Sequence, residues 1–121
     1  MSGVYEHTGR YPVVLQASPV DPNSTDWVYF SYQDVLRVNE LVSSHSALIS
    51  GGTIVTDSSY LGTVTTLDGE IYDQVYAVQF TPEVGSDEVR VTHRISTSTT
   101  DSPSLSRLNI DHTAVIPVET L

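Results

Sequence analysis

From Glu88 to Ser96 apolar and polar side chains alternate without interruption, Val89, Val91, His93 and Ile95 on one side and Arg90, Thr92 and Arg94 on the other. A two-residue repeat is the signature of a β-strand, so this segment pairs with neighbouring strands and lays one face on a core. A chain built around such a strand folds as packed sheets, because a lone sheet leaves its apolar face in water. Residue usage agrees with that constraint. Val and Ile number 23 and Ser and Thr 30, against four Ala, a mix suited to pleated, half-buried surfaces rather than to helices. At 121 residues one compact domain is expected.

Other strands and turns follow along the chain. Tyr11 to Ala17 reads as a strand with Pro12 near its start, where a missing N–H is tolerated at a sheet edge. Residues 18–25 carry two prolines and Asx-type turn formers and read as a loop. In Asp26 to Tyr32, Trp27, Tyr29 and Ser31 alternate with Val28, Phe30 and Tyr32; large apolar groups on both faces suit a strand inside a sheet. Val35, Val38 and Leu41 have the spacing of a short helical turn. Gly51-Gly52 between apolar runs predicts a two-residue hairpin, with a β-bulge as the competing reading, and Asp68-Gly69 between Leu61–Leu67 and Glu70–Phe80 predicts a second hairpin. After the polar connection Thr97 to Ser104, Leu105 to Ile110 and Thr113 to Val118 read as short closing strands. About eight strands at this spacing define an all-β chain, a single antiparallel β-sandwich or small barrel over residues 11–121 preceded by an extended N-terminal arm, residues 1–10.

Charge narrows the partners. Fifteen Asp and Glu face five Arg and no Lys, a formal charge of −10. Phosphate backbones and anionic membrane surfaces need clustered positive charge, so nucleic acid and membrane are not expected partners. The absence of cysteine excludes disulfides, thiolate metal sites and a cysteine nucleophile. Met1 to His7 has neither a basic start nor an apolar run, and no stretch approaches eighteen apolar residues, so neither a secretory signal nor a membrane span is expected.

Chemistry-bearing residues form no catalytic pattern. Four histidines, His7, His45, His93 and His112, share the chain with sixteen serines, yet no nucleophile elbow, zinc motif or phosphate loop is present. His93 lies on the apolar side of its strand and His112 in an expected turn, both read as satisfied imidazoles. Asp21 to Asp26 begins like a calcium loop, but the glycine at the sixth position is missing and Tyr32 stands where the closing glutamate belongs. Asp68, Glu70 and Asp73, and likewise Glu83, Asp87 and Glu88, read as turn formers and solvated rims. Asn23-Ser24-Thr25 matches a glycosylation acceptor, which means little without a secretory signal. Trp27, Tyr29, Phe30 and Tyr32 read as core, with a sugar-stacking platform as the alternative. Tyr5, Tyr11 and Tyr60 are the better candidates for an exposed contact surface. No catalytic residue, metal ligand or cofactor is assigned.

Val75 to Thr81, a Gly/Ser turn, Val89-Arg90-Val91-Thr92-His93-Arg94-Ile95-Ser96-Thr97 and then Arg107 to Ile110 resemble a family of small bacteriophage virion proteins, the Ig-like fiber-tail adaptors. Asp21-Pro22, Asp26-Trp27 and Thr53-Ile54-Val55-Thr56 look like upstream segments of the same family. The longer insert between Asp26 and Thr53 and the longer turn 97–106 depart from it. The resemblance implies an Ig-like sandwich that is a non-enzymatic structural subunit of the virion, assembled in the host cytoplasm. Its expected partners are further copies and other virion proteins at the tail, neck, baseplate or fiber. A capsid decoration protein and a glycan-binding module are the alternatives. Edge strands near residues 11–17 and 113–118 are the expected joining elements, because each adjoins a chain end and carries a proline.

Overall fold

The computed structural model describes residues 12–16 and 19–119. Among them seven strands form: β1 (Val13–Gln16), β2 (Asp26–Ser31), β3 (Glu40–Ser50), β4 (Gly52–Thr65), β5 (Ile71–Pro82), β6 (Glu88–Thr99) and β7 (Ile110–Pro117). One sheet has the order β1-β2-β5-β4 and the other β3-β6-β7, with every pair antiparallel. This order and partition, four strands against three, are those of the constant-type immunoglobulin sandwich. Between the layers, Val28, Phe30, Val78 and Phe80 meet Val91, Ile95 and Ile116, all fully buried. Alternation within β2, β5 and β6 supplies that core, as the two-residue repeat requires. The arm 1–10 lies outside the described residues.

Several expectations are corrected. Gly51-Gly52 closes no hairpin, because β3 pairs with β6 and β4 with β5; it is the corner at which the chain passes from one sheet to the other. Gly51 has φ +78°, and a Cβ there would sit 2.4 Å from the Glu88 carbonyl oxygen. A side chain is excluded on both counts. The helical turn after β2 amounts to one α-turn, with the Leu36 N–H donating to the Tyr32 carbonyl. Leu105 to Ile110 is not a strand before Ile110. Arg107 turns inward there, its backbone exchanging hydrogen bonds with Thr97 and its guanidinium reaching Glu40, which takes the segment off any ladder. His112 accordingly sits within β7, opposite His93, rather than in a turn. Seven strands therefore replace about eight.

The Asp68-Gly69 hairpin forms as expected. The Gly69 N–H donates to the Thr66 carbonyl and Gly69 adopts φ +87°, a turn followed by one left-handed residue. This hairpin is longer than the sandwich beneath it. β2 backs β5 only from Val75 to Phe80, whereas β4 and β5 continue pairing out to Thr65 and Ile71.

Candidate functional site

The unbacked end of the β4–β5 hairpin is the most exposed ordered element described. No residue from Tyr60 to Gln74 is buried. Its base is built to bend: Gly62, at φ +79°, lies opposite Val75, the register shifts on both sides of Gly62, and Gln74 takes φ +55°. Such bulges re-aim a strand. The end of β2 fixes the bend, because the Tyr32 N–H donates to the Gln74 carbonyl, the Ser31 hydroxyl to the Asp73 carbonyl and the Asp73 N–H to Gln33 Oε1. Beyond it the tip carries Leu61, fully exposed Leu67 and Ile71, which is 63% exposed. Apolar side chains gathered on a projecting ribbon mark a contact surface. Tyr60, expected to be exposed, stands at its base and is open; Tyr5 and Tyr11 lie outside the described residues.

Edges are the second feature that bears on partners. β1 and β7 are sheet edges, at positions 13–16 and 110–117. Val20 partly covers the end of β7 through a parallel bridge to Val118. Sequence reasoning missed that β3 and β4 are also edges and are longer, at 11 and 14 residues. Asp57 on β4 blunts the β3 edge, since its Oδ1 accepts the Ala47 N–H at 3.1 Å. Side chains that occupy edge donors limit indiscriminate strand addition.

The histidines divide by depth. His93 is wholly buried, stacked on Phe30 with centroids 5.0 Å apart. Its Nδ1 lies 2.6 Å from the Tyr32 hydroxyl and its Nε2 2.6 Å from Ser58 Oγ, which is also 2.6 Å from His45 Nδ1. Burial pushes the Tyr32 hydroxyl up, helped by Tyr76 and Asp111, so it stays protonated and donates to Nδ1. His93 then donates from Nε2 to Ser58, and Ser58 donates to His45, an assignment that follows from the donor count. Burial, and then the neighbouring His45, hold His93 down at about 4 against the pull of Asp57. The relay ties Tyr32, just past the end of β2, and β4 of one sheet to β3 and β6 of the other. Burial also lowers His112, and His7 lies outside the described residues.

A second buried polar group anchors the loop before β7. Arg107 Nε donates to Glu40 Oε2 at 2.8 Å and Nη2 to Glu40 Oε1, while the Thr97 hydroxyl and the Arg37 N–H complete the shell. Burial alone would raise the carboxyl. Hydrogen bonds from Arg107, Thr97 and the Arg37 backbone, with the charge of Arg107, hold it down at about 2. Nothing in the sequence pattern marks Glu40 as a buried ion, because its partner is 67 residues away.

The acidic segments act locally. Asp21 Oδ1 accepts the Asn23 N–H, Asp26 accepts the Ser24 hydroxyl, Asp73 accepts the Thr63 hydroxyl and Glu88 pairs with Arg90. The aromatic run of β2 splits: Phe30 and Tyr32 are core, whereas Trp27 and Tyr29 face outward with ring planes 13° apart. Comparison with known proteins returns no match, whether to family models, to curated proteins or to solved structures.

Proposed function

We propose that this protein is a non-enzymatic structural subunit that joins neighbouring proteins in a bacteriophage particle, an adaptor of the tail, neck or baseplate. The observation that carries the reading is the projecting β4–β5 hairpin, whose exposed Leu61, Leu67 and Ile71 have no function in the fold beneath them. A stable contact buries roughly 1,000 Å² or more, so the hairpin engages together with adjoining surface, such as the β3 and β4 flank, rather than alone. The resemblance of Val89 to Thr97 to the fiber-tail adaptors supplies the particle and the class of partner. The sandwich holds the ribbon at a fixed angle through Gly62 and Gln74, and the apolar tip inserts into a neighbour.

Capture from an infected culture with tagged protein, partners identified by mass spectrometry, tests this. Recovery of tail-tube, baseplate, neck or fiber proteins by the wild type, lost on Leu67→Asp with Ile71→Asp, is the expected result. Recovery of the major capsid protein moves the subunit to the head as a decoration protein. Capture of no virion protein by folded wild-type chain overturns the reading.

A further inference from the structure

The outer face of the four-stranded sheet differs chemically from the rest of the molecule. In a chain of formal charge −10, the outward positions of β2 and β5, taken alternately from Thr25 to Ser31 and from Val75 to Thr81, hold no charged side chain; Ser31, Val75 and Ala77 are buried, and the part open to solvent is the end at Thr25, Trp27, Gln79 and Thr81. The opposite sheet presents Glu88, Arg90, Arg94 and Asp111. On the uncharged face Trp27 keeps 37% of its surface open, although a strand inside a sheet needs no aromatic there to complete a core. Its ring runs nearly parallel to that of Tyr29, centroids 6.3 Å apart, about the two-residue repeat of the strand. Gln79 stands directly across from Trp27. The Thr56 hydroxyl donates to Gln79 Oε1 at 3.0 Å, which fixes the amide and leaves its nitrogen with no partner among the described residues. Hydroxyls of Thr25 and Thr81, 2.9 Å apart, border the same patch.

We infer that this face is a binding site for a neutral carbohydrate chain, seated on the Trp27 ring and hydrogen-bonded by the Gln79 amide and the threonine hydroxyls. A pyranose offers an apolar C–H face and a rim of hydroxyls that both donate and accept. An open indole meets the first, and an oriented amide beside hydroxyls meets the second. The absence of ions selects uncharged sugars, since no Arg is present to pair with a uronate or sialate and no carboxylate must be stripped of water on binding. A protein partner of this chain has the hairpin tip and the long edges to use. The Trp27 patch is small and polar-bordered, on the scale of a few sugar units.

Trp27 is the single tryptophan among seven tyrosines, so emission excited selectively in the indole reads this site alone. Titration with maltohexaose, cellohexaose, laminarihexaose and chitohexaose, against polygalacturonate and colominic acid as anionic controls, is the experiment. At least one neutral oligosaccharide gives a saturable emission shift with a dissociation constant on the order of 0.1–1 mM, fitting one small solvent-open contact, and the anionic chains give none. Gln79→Ala weakens that binding about tenfold or more, equivalent to one well-placed hydrogen bond. Trp27→Ala abolishes it by calorimetry, while both variants keep the wild-type unfolding midpoint within a few degrees. Leu67→Asp leaves sugar binding intact, so failure here and failure of the adaptor reading are told apart. No saturable shift with any neutral chain, or binding that survives both substitutions, overturns the inference. So does loss of virion-protein capture by Trp27→Ala, which would give this face to a protein partner.

Discussion

His93 is neutral in the fold because burial opposes its charge and because both ring nitrogens are committed, one accepting from Tyr32 and one donating to Ser58. Its folded value of about 4 lies below the ordinary 6.5. The unfolded chain therefore binds the proton first, and stability complete above pH 6.5 drains away as pH falls toward 4. The difference is worth at most about 3 kcal/mol, read as a falling urea midpoint over that window. His93→Phe keeps the ring on Phe30 but strands the Tyr32 hydroxyl. It costs about 2 kcal/mol at pH 7, and the slope between 6.5 and 4 shrinks to the part left by His112 and, at its acid end, Glu40. Glu40 acts lower on the scale: a carboxyl held at about 2 instead of 4.5 contributes stability above pH 4.5 that is lost as pH falls toward 2. Arg107→Ala leaves that carboxylate buried without its partner and costs about 3 kcal/mol in urea unfolding at pH 7. His93 was visible in the sequence as a residue on the apolar side of an alternating strand. Glu40 was not, because no local pattern reveals a pair joined across the closing loop.

At the level of elements, local chemistry made the strands legible and their partners illegible. Alternation marked β6 and the inner positions of β2 directly, and Asp68-Gly69 marked the β4–β5 turn. Gly51-Gly52 carried the same kind of signal and meant something else, since a glycine needed for close approach at a corner looks in sequence like one needed for a hairpin. Substitution separates the two. Gly51→Ala puts a Cβ against the Glu88 carbonyl oxygen at positive φ, which costs 3 kcal/mol or roughly more and lowers expression of folded protein. Gly69→Ala meets only open space and costs about 1 kcal/mol, the backbone penalty alone. Leu105 to Ile110 shows the converse failure, an apolar-looking run held off the sheet by the inward demand of Arg107. At the hairpin tip, Leu67→Asp changes the unfolding free energy by about 0.5 kcal/mol or less, because that side chain is fully open, and Ile71→Asp, at a strand position 63% exposed, by about 1 kcal/mol; partner capture is the property expected to be lost.

For the molecule as a whole, the two-layer class followed from strand repeats and composition, whereas the division into four strands and three depended on which segments cross between layers. One such crossing lies near the start. β1 pairs antiparallel with β2 in the larger sheet, yet Val20, four residues past the end of β1, bridges in parallel to Val118 at the edge of the smaller one, with the Val20 N–H donating to the Pro117 carbonyl and the Glu119 N–H to the Val20 carbonyl. A parallel join between the first and last parts of a chain has a mechanical meaning. Tension applied on either side of this seam, at Pro19 and beyond Glu119, slides these segments past each other, so the hydrogen bonds are loaded together in shear. Tension applied across the Asp68-Gly69 turn peels its ladder apart bond by bond. Single-molecule pulling across the seam, from Pro19 and from beyond Glu119, is therefore expected to require a higher rupture force than pulling from Pro19 and residue 68, and Glu119→Pro, which deletes the N–H given to the Val20 carbonyl, narrows the gap. That short parallel seam is a clamp between the two layers, set where the chain passes from β1 to β2 and where it leaves β7.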